Sequence, residues 1–388
     1  MTATLFHVGR AITPKGEVPS AGILVREGVI EFAGPRADIE IPAGTKEVTR
    51  TDSTAIPGFL DVHVHGAGGR DVMEADQSAL STITGRLAAF GTTSLLATTI
   101  TAGIEETCHA VEEVSKYIST QYQTNAARAE ILGIHFEGPF LSKERRGVHP
   151  TEFLRPPSAE LLQRFLQAAS GNARILTIAP ELPGATPCID AARSLGMVVS
   201  IGHTDATYEQ ARAAMAHGAH HATHVYNAMR PFTHRDPGVI GAVLTTPDVT
   251  AELIADGVHV DEIAMKVLLQ AKGARGVILI SDGTSATGMP DGKYMLGGLE
   301  VTVSSGVCRN SEGKLAGSTL TLDRALRNIV QLGIPLADAV GMLTLNPATL
   351  LGIEFKKGAL RTGADADIIL LNQALEITEV WARGILVQ

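Results

Sequence analysis

The chain has 388 residues, of which 45% are hydrophobic, 19% charged and 4% aromatic, with 40 glycines, which suits one large domain plus a smaller one with many tight turns. A formal net charge of −9 excludes a general nucleic-acid-binding surface, so any anionic ligand must meet a local cationic pocket. The three widely spaced cysteines, Cys108, Cys188 and Cys308, make neither a disulfide framework nor a CxxC zinc site and read as small buried hydrophobes in a reducing compartment.

The opening stretch MTATLFHVGRAITPKGE has no basic region followed by an apolar core, and no apolar run reaches membrane-spanning length, so a cytoplasmic protein is expected. To about Ile56 the chain reads as short strands, LFHVGRAI, AGILVREGVIEFAG and KEVTRT, punctuated by Gly, Pro and charge. The tail from about Gly358, GADADIILLN and ITEVWARGILVQ, has the same texture. Neither end has enough apolar surface for a core of its own. Residues 1–56 and 358–388 are therefore expected to join as a small β-sandwich domain.

Residues 57–357 alternate two patterns. Eight apolar, β-branched runs follow one another: FLDVHV, TTSLLATT, ILGIHF, RILTIA, MVVSIG, HATHV, TAELIA and GVILIS. Amphipathic stretches such as IEETCHAVEEVSKYI and SAELLQRFLQAA lie between them. Apolar strands alternating with helices predict an α/β fold with a parallel sheet buried on both faces. Eight such units predict a (β/α)₈ TIM-type barrel. An open doubly wound sheet is the weaker alternative, because no Gly-rich phosphate fingerprint follows the first strand. After the last run a Gly-rich, hairpin-like excursion precedes the helix TLDRALRNIVQLG.

Barrel enzymes carry their chemistry where strands end. Alternate side chains of a strand face the same way, so His63 and His65 point together and can chelate one ion. Glu137 ends the third run, His203 the fifth, His224 the sixth and Asp282 the eighth. Each alone has an ordinary explanation: Glu137 as a helix cap or partner of Arg145 or Arg146, His203 as a satisfied core histidine. Together they cannot, because burying six such groups unpaired at one barrel mouth costs several kcal/mol each. Imidazole and carboxylate suit Zn²⁺, Fe²⁺ or a similar ion, and six ligands exceed one tetrahedral zinc. A two-metal site bridged by Glu137 is expected. His220 and His221 come earlier in their run and read as structural, and His7, His109 and His217 as surface or helix residues.

The order His-x-His, acidic bridge, His, His, Asp resembles the amidohydrolase superfamily, as does the tail KGALRTGADADIILL. Within it, PGFLDVHVHGAGG, GIHFEGPFL, GVHP, SIGHTDA, THVYNAMRPF and SDGT closely resemble the N-acetylglucosamine-6-phosphate deacetylases, across nearly the whole chain. That resemblance implies hydrolysis of a phosphosugar acetamide by a homodimer. It implies Glu137, His203 and His224 as the principal metal site and Asp282 as the acid/base. It implies His149, in GVHP, as a group that polarises the substrate carbonyl. Arg235, His259 and the segment Asn227–Ala228 would hold the phosphate. Some members lose the first-strand histidines and keep one metal. His63 and His65 are both present here, implying two divalent ions, zinc first and Fe²⁺ second. A different amidase of the superfamily, such as a D-aminoacylase, is a rival weakened by the absence of a bridging lysine in RILTIAP. A non-catalytic scaffold is weakened because every ligand position is filled.

Overall fold

The computed structural model describes residues 3–123 and 126–387. Eight strands form the central sheet: β1 (Phe59–Val64), β2 (Thr92–Thr99), β3 (Glu130–Glu137), β4 (Ala173–Ile178), β5 (Val198–Ile201), β6 (Ala219–Ala222), β7 (Thr250–Leu253) and β8 (Val277–Leu279). Neighbours in sequence are neighbours in the sheet, and every pair is parallel. A helix follows each strand: α1 (Gln77–Ala88), α2 (Ile104–Thr120), α3 (Ala159–Ala169), α4 (Ala185–Ser194), α5 (Tyr208–Ala216), α6 (Gly238–Thr245), α7 (Glu262–Lys272) and α8 (Leu322–Gln331). The barrel closes past the end of β8. The Asp282 N–H donates to the His63 carbonyl at 3.0 Å, and the His65 N–H to the Gly283 carbonyl at 2.8 Å.

Helix packing follows the apolar spacing. In α3, Leu162, Phe165, Ala168 and Ala169 lie on one face and are buried, and the Ser158 side chain caps the first turn by accepting the Leu161 N–H. The strands are buried on both faces, as expected, but the inner face is polar. Period two puts Asp61 and His63 on one face of β1 and Leu60, Val62 and Val64 on the other. His135 donates and accepts within the barrel, with Nδ1 3.0 Å from the Val62 carbonyl and Nε2 2.8 Å from Thr177 Oγ1. The chain of contacts continues from Thr177 to Thr223 at 2.8 Å and on to Ser200 at 2.6 Å. A hydrogen-bonded network replaces the branched aliphatic layers common in such barrels.

Both termini supply one seven-stranded sheet, in the order Ile385–Leu386, Ile377–Ala382, Ile368–Leu371, Lys46–Pro57, Thr4–Thr13, Gly16–Arg26, Val29–Pro35. Thr4–Thr13 and Lys46–Pro57 run parallel, and the other pairs antiparallel. The sheet curls on itself. Phe6 and Trp381, on non-adjacent strands, meet edge-to-face with centroids 4.9 Å apart, and the Ile30 N–H reaches the Ala364 carbonyl at 2.8 Å. The sandwich core this encloses holds Phe6, Val8, Ile23, Ile30, Ile368 and Leu370. Lys357 pins the tail to β3: its buried Nζ lies 2.7 Å from Glu130, 2.8 Å from Asp365 and 2.9 Å from Asp367.

Three details differ from expectation. The excursion after β8 is a three-stranded antiparallel sheet (Gly292–Leu296, Leu299–Ser304, Val307–Asn310), not a hairpin. Two further helices, Leu336–Leu343 and Leu345–Leu350, follow α8. Cys108 is half-buried, because it sits at the edge of the packed face of α2, whereas Cys188 and Cys308 are buried. Among the described residues no helix is long and apolar enough to cross a membrane.

Candidate active site

Strand ends deliver the side chains. His63 leaves β1 and His65 follows it, Glu137 ends β3, and His203, His224 and Asp282 stand just beyond β5, β6 and β8. All six are buried. The last three adopt left-handed backbone conformations, with φ of 49° at His203, 27° at His224 and 49° at Asp282. Strain of this kind persists only where the surroundings over-determine it, and it gathers at functional sites.

The ring nitrogens are assigned by what they face. His65 Nδ1 lies 3.2 Å from the Thr98 carbonyl and His203 Nδ1 2.9 Å from the Arg145 carbonyl. A carbonyl only accepts, so each Nδ1 carries the proton. His63 Nδ1 faces a carboxylate oxygen of Glu252 at 3.0 Å, with the same consequence. The Nε2 lone pairs of these three then point inward. His63 and His65 Nε2 lie 3.3 and 3.2 Å from the Glu137 carboxylate, and His203 and His224 Nε2 each 3.1 Å from its Oε1. Asp282 Oδ1 completes the ring, 3.3 Å from His65 and 3.6 Å from His63.

Lone pairs facing a carboxylate at these distances need positive charge between them. Buried His63 Nε2 has no hydrogen-bond partner, which is the signature of a ligand atom. Without a cation the histidines would hold protons instead. Burial opposes this at His65, but Asp282 and Glu137 outweigh it and raise the pKa to about 9. Burial would lift Glu137, yet His63 and His203 hold it well below the usual range. These groups are therefore able to hold a divalent metal: candidate ligand atoms of His63, His65 and Asp282 lie within reach of one ion, as do those of Glu137, His149 and His203, with His224 Nε2 3.1 Å from the same Glu137 carboxylate.

His149 has the opposite tautomer. The Thr101 N–H donates to its Nδ1 at 3.3 Å, so Nε2 carries the proton, 3.4 Å from Glu137 Oε2. Burial and neighbouring His203 push its pKa down to about 4, which keeps the ring neutral. Gly147, two residues earlier, has φ +58°, and a Cβ there would stand 3.2 Å from the His203 ring.

A cavity of about 180 Å³ opens on this cluster. His65, Glu137, His149, His203, His224, Asn227, Ala228, His259 and Asp282 line it, with Ile100, Val148, Leu296 and Leu315 as its apolar side. His259 Nδ1 is held by Asp256 at 2.7 Å. Arg235 is not brought to the cavity. It is exposed on the loop between β6 and α6, where neighbouring Asp236 pairs with Arg230 instead. His221 is buried and structural, and His220 is exposed. Buried Asp61, His135 and Glu252 escape the strand-end rule. The only sign of them in the sequence is a charged or polar residue inside an apolar run.

Residues 54–387 match the Amidohydrolase family. The chain belongs to the amidohydrolase family. It is 37% identical to the N-acetylglucosamine-6-phosphate deacetylase of Bacillus subtilis (strain 168), over 99% of this chain and 97% of that protein. It is 36% identical to the N-acetylgalactosamine-6-phosphate deacetylase of Escherichia coli O157:H7, over 97% and 98% of the two chains. The crystal structure of N-acetyl-D-glucosamine-6-phosphate deacetylase from Mycobacterium smegmatis superposes with a TM-score of 0.91 at 33% identity, covering 99% of this chain and 100% of that one. This amidohydrolase thus shares its whole architecture with amino-sugar phosphate deacetylases, not the barrel alone.

Proposed function

We propose that this amidohydrolase cleaves the acetamide of N-acetylglucosamine 6-phosphate, giving glucosamine 6-phosphate and acetate. The observation that carries the reading is the convergence of four histidine Nε2 atoms on Glu137 beside Asp282, in a chain alike end to end with deacetylases of that substrate. A divalent cation bound there supplies a Lewis acid that acidifies water and polarises a carbonyl. We assign one ion to Glu137, His203 and His224 and a second to His63, His65 and Asp282, zinc before Fe²⁺ on ligand chemistry.

The chain's own residues do the rest. Asp282 takes a proton from the attacking water as its oxygen bonds to the acetyl carbon. His149 donates its Nε2–H to the carbonyl oxygen as negative charge builds there. Asp282 then returns the proton to the amine nitrogen while the carbon–nitrogen bond breaks, and acetate is left. Asn227, Ala228 and His259 are assigned to the phosphate. Arg235 falls outside that assignment within one chain. A homodimer in the cytoplasm belongs to the same reading.

The Escherichia coli relative favours one further substrate, N-acetylgalactosamine 6-phosphate. The test is acetate release from either phosphosugar by the protein as purified, after chelation, and after zinc is restored. Loss and recovery of turnover are expected. No acetate from either sugar with zinc-replete protein would overturn the reading.

A further inference from the structure

Glu252 lies in the middle of β7 and is fully buried, with no solvent to share its charge. A carboxylate is tolerated there only if donors surround it. Three do. His221 Nε2 lies 3.0 Å from Oε1, while His63 Nδ1 and the backbone N–H of His224 both lie 3.0 Å from Oε2. His221 is steadied in turn by Thr250 Oγ1, 2.7 Å from its Nδ1. One oxygen atom of Glu252 therefore touches a member of each ligand set: the ring of His63 and the backbone of His224.

We propose that Glu252 is a positioning residue that builds the second metal position through His63. An ionised carboxylate only accepts, so Glu252 commits His63 to the Nδ1–H tautomer and aims the Nε2 lone pair at Glu137 and Asp282. Among the described residues no other group does this for His63, whereas His65 and His203 use backbone carbonyls. A backbone carbonyl cannot be removed by substitution. The His63 position is thus the one whose orientation depends on a replaceable side chain. The bond to the His224 N–H also fixes the spacing of the two ligand sets. The inference rests on the assignment of a second ion to His63, His65 and Asp282.

The experiment dialyses the metal-loaded protein against buffers of defined free Zn²⁺ and measures bound zinc by elemental analysis. Wild type should retain two equivalents, the weaker at the His63 set. In the near-isosteric Glu252→Gln, the uncharged amide is a weaker acceptor for the His63 Nδ1–H. The weaker equivalent should then need about 10–100-fold more free zinc, the usual effect of losing an outer partner of a ligand histidine. The tighter equivalent should be unmoved. Glu252→Asp, whose shorter side chain cannot reach His63, should show the same selective loss and serves if the Gln variant does not fold. In a His63→Ala background, Glu252→Gln should change zinc retention no further. Wild-type retention of the weaker equivalent by a folded variant would overturn the proposal. So would equal weakening of both equivalents, which marks a general structural role, or a wild type that holds only one. None of these readouts uses the sugar, so failed deacetylation would sink the proposed function and leave this inference standing.

Discussion

His203 Nε2 and His224 Nε2 stand 3.1 Å apart, and each stands 3.1 Å from Glu137 Oε1. Two imidazole lone pairs at that separation repel unless something positive lies between them. Bond lengths of about 2.0–2.1 Å to one ion give ligand–ligand edges of about 2.8–3.0 Å at right angles and about 3.3–3.4 Å at tetrahedral angles. The observed triangle falls between, so the three atoms are spaced as ligands of one ion would be.

The first expectation follows from that triangle and its neighbour. His203→Ala or His224→Ala should remove the tighter metal and lower kcat by at least about 10²–10³-fold, the scale of losing a group that stabilises developing negative charge. Replacing His63 and His65 together by Ala should instead lower the stoichiometry from two towards one. Elemental analysis of the purified variants decides both. A fully loaded wild type with a single ion would remove the second position and spare the first.

As the proposed proton carrier, Asp282 should matter for turnover far more than for binding. Asp282→Asn should cost about 10²–10⁴ in kcat with little change in KM. Steady-state kinetics on the phosphosugar make the comparison. Near-normal kcat would hand the role to another group.

His259 tests how phosphate is held in an acidic chain. Asp256 fixes Nδ1, which leaves Nε2 for the cavity the ring lines. His259→Ala should weaken kcat/KM for the 6-phosphate by about 1.5–3 kcal/mol, the worth of a hydrogen bond to a charged group. It should barely alter activity on the unphosphorylated sugar. Equal losses on both would mean that His259 shapes the mouth and does not read the phosphate.

Lys357 gives a stability test remote from the site. Its Nζ meets Glu130, Asp365 and Asp367 in a buried cluster. Lys357→Met should destabilise by about 3–5 kcal/mol, as expected when one partner of a buried pair is removed. Burial would lower the lysine pKa, but Asp367, Glu130 and Asp365 raise it above the ordinary 10.5. A raised folded pKa means that the stabilisation is complete below pH 10.5 and lost as pH climbs past it. Between wild type and variant, the stability gap should shrink above that pH by about 1.4 kcal/mol per unit. Denaturant midpoints across an alkaline series measure it, and a constant gap would remove the lysine from the account.

Much of this site is legible in the chain because two rules act together. Strand period two pairs His63 with His65, and the ends of apolar runs locate Glu137, His203, His224 and Asp282. His149 obeys neither rule, since it lies in a loop, and only the motif GVHP marks it. Arg235, which only the resemblance marks, lies exposed on its loop and does not line the cavity within one chain. Glu252 and His135 are hidden for another reason. They lie inside apolar runs, and their partners come from strands distant in sequence, so nothing local reveals that the barrel interior is a polar network. That the termini join is readable because neither has apolar surface for its own core, but their strand order and contacts such as Phe6 with Trp381 are encoded by no local pattern.

The most direct test of the central claim compares two substrates on one zinc-loaded preparation. N-acetylglucosamine 6-phosphate and N-acetylglucosamine share the scissile bond and differ only in the phosphate. Acetate and glucosamine 6-phosphate are expected in equal amounts from the first, with kcat/KM at least about 10-fold above the second, the scale of one charged hydrogen bond. Comparable turnover of both, or of neither, would contradict it.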